Sequence, residues 1–223
     1  NVHCDGIALR IPSAAMDTGK IIFLNGSSSA GKTTLALVLQ QMLSDPYHHI
    51  ALDQFRDGLP GRYRGLNSPE GSPGALGLNI VPRELNGERV TSIEMGQHAD
   101  QMLRGMRRAI AAFVRVGNNA IVDDLLFKPE YLDDYALALD GLDAWFIGVR
   151  CRLDVVNERE AIRPGRFPGT ATSHYESVHA HGCEYDLEID TSDRPPRACA
   201  EEILQRIEQP PDALITRRAA LEF

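Results

Sequence analysis

One eight-residue stretch carries the strongest chemical signal of this chain. Residues 26–33 have the sequence GSSSAGKT and fit the phosphate-binding loop pattern G-x-x-x-x-G-K-[ST] in full. Glycines let the backbone curl around an anion, and the N–H groups that open the next helix then point at phosphate oxygens. In such a loop the lysine reaches the β- and γ-phosphates, and the hydroxyl after it can ligate Mg²⁺. We expect the nucleotide phosphates to bind Gly26, Ser27, Ser28, Ser29, Ala30, Gly31, Lys32, Thr33 and Thr34.

Three aspartates follow predicted strands, whose carboxyl ends are the usual ligand-binding edge of a parallel sheet. Asp123 and Asp124 follow the apolar residues 120–122. We expect one of them to hold Mg²⁺, directly or through water, although a turn or helix cap is the alternative. Asp53 ends the predicted strand 49–52. A carboxylate there can take the proton of an acceptor hydroxyl as general base, and a capping or salt-bridge role is an equally simple interpretation.

Three arginines lie close together in the second half of the chain. Arg159 and Arg163 are i, i+4 on one face of a predicted helix, and Arg166 follows a helix-breaking Pro-Gly pair. The planar guanidinium fork pairs with phosphate oxygens. The three side chains are therefore candidates for a lid, residues 159–170, that closes on the transferring phosphoryl group. A solvated face laced with Glu–Arg pairs is the alternative.

Two further groups are weaker candidates. Thr191 follows the last predicted strand, where a loop can border the adenine or be a plain polar turn. His174, His179 and His181 are neighbours in sequence, but no carboxylate or cysteine falls at a persuasive ligand spacing. We expect these histidines to be ordinary buried or surface residues, not metal ligands.

Apolar runs alternate with helical patterns along the chain. The patterns predict strands at 21–24, 49–52, 120–122, 144–149 and 185–189, and helices at 34–43, 92–116, 153–162 and 196–207. Continuous apolar strands are typical of a parallel sheet covered on both faces. Residues 58–82 contain six glycines and four prolines and predict a loop or an irregular hairpin.

Composition narrows the functional classes. The 223 residues, 43% of them hydrophobic, predict one domain with an ample core, and the net charge of −8 argues against a nucleic-acid surface. Four scattered cysteines, the lack of an apolar run near 18 residues and the lack of a signal peptide predict a cytoplasmic protein without a membrane partner. We expect residues 1–15 to be an extension that the native protein need not contain, 16–209 to be the domain and 210–223 to be a loosely attached tail.

From about residue 19 to about residue 207 the chain resembles the chloramphenicol phosphotransferases. The stretch IGVRC at 147–151 and the stretch GCEYDLEIDT at 182–191 are far more particular to that family than the phosphate-binding loop. The other matches, in the same order, are 25–33, 52–53, 121–124 and the three arginines. The resemblance implies a P-loop kinase with a five-stranded parallel sheet and helices on both faces. It also implies transfer of the γ-phosphoryl of ATP to a primary hydroxyl of a drug, with Asp53 as general base.

One region departs from the family pattern. Residues 58–92, where the family places its acceptor-pocket insert, match only loosely. We therefore expect an ATP- and Mg²⁺-dependent phosphotransferase whose acceptor is chloramphenicol, another antibiotic or a metabolite. The expected catalytic residues are Lys32, Asp53, Arg159, Arg163 and Arg166. Alternatives are a nucleoside or nucleotide kinase, with Arg56, Arg62 and Arg64 in its pocket, and a nucleotide-dependent switch without an acceptor; the oligomeric state stays open.

Overall fold

The computed structural model describes residues 17–85, 87–163 and 167–222. The described strands are β1 (Lys20–Asn25), β2 (Tyr47–Ala51), β3 (Arg64–Leu66), β4 (Leu78–Leu85), β5 (Glu88–Met95), β6 (Asn119–Asp124), β7 (Asp143–Arg150) and β8 (Leu187–Asp190). Five of them form one sheet in the order β2-β6-β1-β7-β8, and every neighbouring pair is parallel. This sheet confirms the expected fold class. The predicted extension, residues 1–15, lies outside the described residues.

Helices cover both faces of the main sheet. The described α-helices are α1 (Lys32–Met42), α2 (Leu52–Asp57), α3 (Pro73–Leu76), α4 (Gln97–Arg115), α5 (Pro129–Ala138), α6 (Leu153–Ala161), α7 (Thr170–His174), α8 (Pro196–Arg206) and α9 (Ala213–Ala220). One apolar cluster lies between the sheet and α4, α5 and α9. A second lies between the sheet and α1 and α8. The central strands thus link two cores and hold the loops at their carboxyl ends in fixed positions.

The alternation of side chains along β1 divides the two cores. Ile21 and Phe23 pack into the first cluster, whereas Ile22 and Leu24 pack into the second. All four are fully buried because successive side chains of a strand point to opposite faces. A strand buried on both faces explains the continuous apolar sequence, and it fixes where the phosphate-binding loop begins.

The insert forms a small sheet of its own. β4 and β5 form an antiparallel hairpin, and β3 pairs with β4 in parallel. The expected loop is therefore more regular than predicted, and the expected helix from residue 92 begins only at Gln97, because Met95 still belongs to β5. Pro82 is tolerated within β4 because the pairing with β3 ends at Ile80 and leaves that edge of β4 open.

The expectation of a loosely attached tail is wrong. Ala213 and Leu214 at the start of α9 are buried in the first core. Arg217 Nε donates to Asp133 Oδ1 at 2.6 Å, which ties α9 to α5. Two apolar side chains and one ion pair are a weak sequence signal, but they dock the helix on the sheet.

Candidate active site

The phosphate-binding loop connects the carboxyl end of β1 to α1. A Cβ atom on Gly26 would lie 2.4 Å from the carbonyl oxygen of Val149, so the loop crosses β7 at a distance that only glycine allows. Ser29 and Gly31 have φ angles of 62° and 95°, in the left-handed region. The first N–H groups of α1 lack partners inside the helix, so the loop presents several donors to an anion.

Lys32 lies inside the curl of this loop. Its Nζ atom donates to the carbonyl oxygens of Gly26 at 2.9 Å and Ser27 at 3.0 Å, and the residue is only 5% exposed. The same atom lies 3.8 Å from Asp123 Oδ1. The ammonium group is thus held among main-chain oxygens and one carboxylate, within reach of any phosphate that binds the loop.

Asp123 and Thr33 meet at the mouth of the loop. The Thr33 hydroxyl donates to Asp123 Oδ2 at 2.7 Å, and His49 Nε2 lies 3.5 Å from the same oxygen. Burial would raise the pKa of Asp123, but the Lys32 charge, the nearby His49 and the hydrogen bond from Thr33 lower it below its usual value. An ionised carboxylate beside a hydroxyl is a hard oxygen donor pair, which suits Mg²⁺.

Asp124 points away from that donor pair. Its Oδ2 atom accepts a hydrogen bond from the Tyr135 hydroxyl at 2.7 Å, and its Oδ1 atom accepts one from the Leu125 N–H at 2.7 Å. Burial raises the pKa of this fully buried carboxyl to about 6, although the buried Arg107 nearby lowers it. Of the two predicted metal ligands, the structure therefore brings Asp123 to Thr33 and turns Asp124 into the core.

Asp53 lies at the far side of the same opening. β2 ends at Ala51, so Asp53 stands in the first turn of α2 and not at the strand end that the sequence predicted. Arg56 Nη1 donates to Asp53 Oδ1 at 2.7 Å, and Arg56 Nη2 donates to Asp57 Oδ1 at 2.9 Å. One guanidinium therefore orients the Asp53 carboxylate, whose side chain stays 46% exposed.

Arg159 lies against the outer side of the loop. Its Nη2 atom donates to the carbonyl oxygen of Thr191 at 2.7 Å, and the Thr191 hydroxyl donates to the carbonyl oxygen of Ala30 at 2.7 Å. A Cβ atom on Gly31 would lie 3.8 Å from Arg159 Nη1. The structure thus brings Arg159 and Thr191 together beside the loop. Arg163 is exposed just beyond the end of α6, and Arg166 lies outside the described residues.

A single cavity of about 1330 Å³ joins these groups. One end is polar and contains Lys32, Thr33, Thr34, Asp123, Arg159 and Thr191, with Arg163 at its rim. The other end lies between α2 and the small sheet, and Asp53 and Arg56 line it together with Arg64. Its apolar wall comes mainly from the insert and consists of Leu66, Leu78, Ile80, Ile93 and Met95.

Several residues of this site were not predicted from the sequence. Phe127 and Arg194 line the cavity, His49 contacts Asp123, and His174 Nε2 accepts the Ser28 N–H at 3.1 Å. Asn25, the last residue of β1 before the loop, is fixed by a hydrogen bond from its side chain to the Val178 carbonyl at 2.7 Å. Each of these contacts joins segments that are distant in sequence, so the spacing of nearby residues does not predict it.

The fold is that of P-loop kinases. The chain is similar to the solved structure of the Mycobacterium tuberculosis APS kinase CysC in complex with AMPPNP and APS, with a TM-score of 0.54, 15% identity and coverage of 86% of this chain and 99% of that one. It is similar to the tunicamycin resistance protein of Deinococcus radiodurans, with a TM-score of 0.54, 18% identity and coverage of 87% and 99%. At these identities the likeness concerns the fold, which is that of nucleotide-binding kinases.

The chain belongs to the chloramphenicol phosphotransferase-like protein family, whose model matches residues 19–208. It is 31% identical over 210 residues to a Mycobacterium tuberculosis H37Rv protein named "Putative O-phosphotransferase Rv2636", with coverage of 94% of this chain and 92% of that relative. Family and fold together make the chain a phosphotransferase of the kinase type. In the described part of the chain, no helix is both long and apolar enough to cross a membrane.

Proposed function

We propose that this protein transfers the γ-phosphoryl group of ATP to a hydroxyl of a small, uncharged molecule, with Asp53 as general base. The observation that carries the proposal is the single cavity in which the phosphate-binding loop and the Asp53 carboxylate face one space. A phosphoryl acceptor has to enter between the two groups. In-line transfer then needs a proton acceptor on the side opposite the leaving ADP, which is the side of α2.

On the phosphate side, different groups bind the phosphates and the metal ion. The amides of the loop and Lys32 bind the β- and γ-phosphates, which spreads the charge that builds up during transfer. Thr33 and Asp123 are the residues that would hold Mg²⁺, since they form a hydroxyl–carboxylate donor pair. When bound, the ion neutralises charge on the β- and γ-phosphate oxygens. Asp124 has no part in this proposal, because its two oxygens bond to Tyr135 and Leu125.

The arginines complete the phosphate side of the proposal. Arg159 is fixed beside the loop by Thr191, whereas Arg163 lies at the exposed end of α6 and lines the cavity. We propose that Arg163, with Arg166 from the neighbouring lid segment, covers the transferring phosphoryl group. A planar fork suits this task because it bonds two phosphate oxygens at once.

The acceptor side favours an uncharged substrate. Arg56 already bonds Asp53 and Asp57, and Arg64 Nη1 lies 3.9 Å from Asp57 Oδ1. Arg62 lies 5.1 Å from the centre of the Tyr63 ring. The two arginines at this end of the cavity are thus balanced by two aspartates, which disfavours a second phosphate and hence the nucleotide-kinase alternative. The apolar wall instead fits a lipophilic alcohol, and chloramphenicol or a similar antibiotic is the acceptor that we propose.

An acceptor panel tests the proposal. The protein would be incubated with ATP and Mg²⁺ and with chloramphenicol, other hydroxylated antibiotics, nucleosides, nucleotides and sugar acids, and the products would be analysed by mass spectrometry. We expect one phosphoryl group on an uncharged alcohol other than a nucleoside, and ~10²–10⁴-fold slower formation of this product by the Asp53→Asn variant. Exclusive modification of nucleosides or nucleotides would favour the kinase alternative. ATP binding without any modified acceptor would favour a switch.

A further inference from the structure

His174 makes a direct contact with the phosphate-binding loop from the segment that follows the lid. Its Nε2 atom accepts the Ser28 N–H at 3.1 Å, and the residue is only 5% exposed. Because Nε2 accepts, it carries no proton in this arrangement. The imidazole ring also lies edge-on to Phe127, with ring centroids 5.4 Å apart, and Phe127 lines the cavity. His174 therefore contacts both the loop and a side chain that lines the cavity.

The other end of α7 is attached to the acceptor wall. The Thr91 hydroxyl donates to the Pro168 carbonyl at 2.9 Å, and the Thr91 N–H donates to the Gly169 carbonyl at 3.4 Å. Gly169 has a φ angle of 72°, and a Cβ atom there would lie 3.0 Å from Val90 Cα. The close approach of α7 to β5 thus depends on glycine. Thr91 lies two residues before Ile93, which lines the acceptor end of the cavity.

α7 is also fixed between these two contacts. The Ala171 N–H donates to Oε1 of Glu160 at 2.9 Å, and Glu160 is buried in α6 one residue after Arg159. The Tyr175 hydroxyl donates to the Cys151 carbonyl at 2.7 Å. A short helix held at several points moves as one body, so a shift at the loop is passed on to β5.

We propose that His174 is a positioning residue that couples the phosphate-binding loop to the acceptor wall through α7. The inference rests on the proposed function only in taking the loop to bind a nucleotide. A nucleotide that fixes the loop favours one position of His174, hence of α7 and of β5. By linkage, an acceptor that fixes β5 strengthens nucleotide binding by the same factor. The acceptor wall and the phosphate loop then adopt the transfer geometry together.

Hydrogen exchange on β5 measures this coupling without knowledge of the acceptor. AMP-PNP with Mg²⁺ would be added to the full chain, and its dissociation constant would be measured by calorimetry on the same preparation. In the wild type we expect the nucleotide to slow exchange of β5 amides, although β5 forms no part of the phosphate site. The amides of α9, which packs against α5 and β7, serve as the internal reference and should not change.

Three variants separate coupling from simple packing. His174→Leu keeps an apolar body but removes the acceptor, and we expect AMP-PNP to bind about three- to tenfold more weakly and to leave β5 unprotected. His174→Gln restores a hydrogen-bond acceptor and should restore most of both effects. Thr91→Val removes the side-chain hydrogen bond at the opposite end of the bridge, while the main-chain hydrogen bond from residue 91 to Gly169 stays. It should reduce the β5 protection while the dissociation constant for AMP-PNP changes less than about twofold.

The outcomes that contradict the inference are distinct from those that contradict the proposed function. A wild-type protein that does not bind AMP-PNP would overturn the proposed function and this inference with it. A protein that binds AMP-PNP tightly with no change at β5 would overturn the coupling alone. So would protection in His174→Leu or Thr91→Val equal to that of the wild type. If circular dichroism shows that His174→Leu does not fold, Thr91→Val decides the question.

Discussion

The two ends of the cavity are built in opposite ways. The phosphate end is lined by main-chain groups and a few buried polar side chains. Ser27, Lys32 and Asp123 are all less than 10% exposed. At the acceptor end, half-exposed apolar side chains such as Ile80 come from a separate small sheet. Rigid strands of the main sheet fix the first end, whereas hairpin side chains define the second. Under the proposed function, side chains of the small sheet can therefore be exchanged without replacing any residue of the phosphate-binding loop.

The largest effect should follow from Lys32→Ala at the phosphate end. The change removes the ammonium group that lies 3.8 Å from Asp123 and leaves that carboxylate without its cation. We expect turnover to fall below detection and ATP binding to weaken, measured by coupled assay and calorimetry, while Lys32→Arg keeps a charge and part of the ATP affinity. Circular dichroism checks the fold of both variants. Normal turnover in Lys32→Ala would contradict the proposal that this loop binds the phosphates of ATP during transfer.

Asp53→Asn tests the proposed general base, which lies in the cavity opposite the phosphate-binding loop. The substitution keeps the shape of the side chain and its contact with Arg56 but removes the proton acceptor. General-base catalysis contributes ~10²–10⁴-fold, so kcat should fall by that order while the dissociation constant for ATP changes little. A loose transition state would put the loss at the low end of this range. A near-normal kcat would mean that the Asp53–Arg56 pair is only a feature of the α2 surface.

The neighbouring aspartates at the end of β6 allow two matched variants to be compared for their Mg²⁺ requirement. Asp123→Asn should lower kcat and raise the Mg²⁺ concentration needed for half-maximal rate, because it weakens the donor pair with Thr33. Asp124→Asn should leave the Mg²⁺ requirement near that of the wild type, because Asp124 bonds Tyr135 instead. Titration of the rate with Mg²⁺ separates the two. Equal Mg²⁺ curves for both variants would contradict the assignment.

The same pair predicts opposite pH dependences of stability. The pKa of Asp124 is raised to about 6 from 3.8, so its contribution to the free energy of unfolding is most favourable below 3.8 and declines as pH rises to about 6. The pKa of Asp123 is lowered, so its contribution is present above 3.8 and is lost as pH falls through the folded value. Urea unfolding of wild type and Asp124→Asn between those pH values should therefore show a stability difference that moves against the wild type as pH rises.

The smallest effect should come from the acceptor wall. Ile80→Ala removes apolar contact area in the cavity, and we expect the KM for the acceptor to rise several-fold, since partial burial of an isoleucine side chain contributes about 1 kcal/mol. The dissociation constant for ATP should stay the same. Val81→Ala is the matched control, because the next residue of a strand points to the opposite face and does not line the cavity. Equal effects of both variants would locate the acceptor elsewhere.

The phosphate end could be predicted from sequence because its parts are consecutive. The spacing of Gly26, Gly31, Lys32 and Thr33 is itself the geometry of the loop, and the sheet follows from apolar runs. The choice between Asp123 and Asp124 could not be made, because it depends on which face of the sheet α1 covers. Asp123 pairs in register with Leu24, on the face of α1, which is why it meets Thr33.

The acceptor end was predicted only in part. The many glycines and prolines indicated a loop or an irregular hairpin, whereas β4 and β5 form a regular hairpin that pairs from Leu78 to Met95. The dipeptide Asn86-Gly87 was a usable hairpin signal, and Gly87 has a φ angle of 82°. His174 lies 146 residues from Ser28, and no pattern near either residue indicates their hydrogen bond. The helix α5 was also not predicted.

The buried carboxylate of Asp186 bonds to a residue beyond the end of the family match, so the folded domain extends past residue 208. Its oxygens accept the Phe146 N–H, the Arg206 guanidinium and the Asp212 N–H at 2.7–2.8 Å. The family match ends at residue 208, and the indole of Trp145 donates to the Gln209 carbonyl just beyond it. A fragment that ends at residue 208 would lack the Asp212 N–H. The Asp186 carboxylate, whose side chain is only 1% exposed, would then lose one of its hydrogen-bond donors. For anyone preparing this enzyme, an affinity tag therefore belongs after α9, and a shortened version should aggregate sooner in storage.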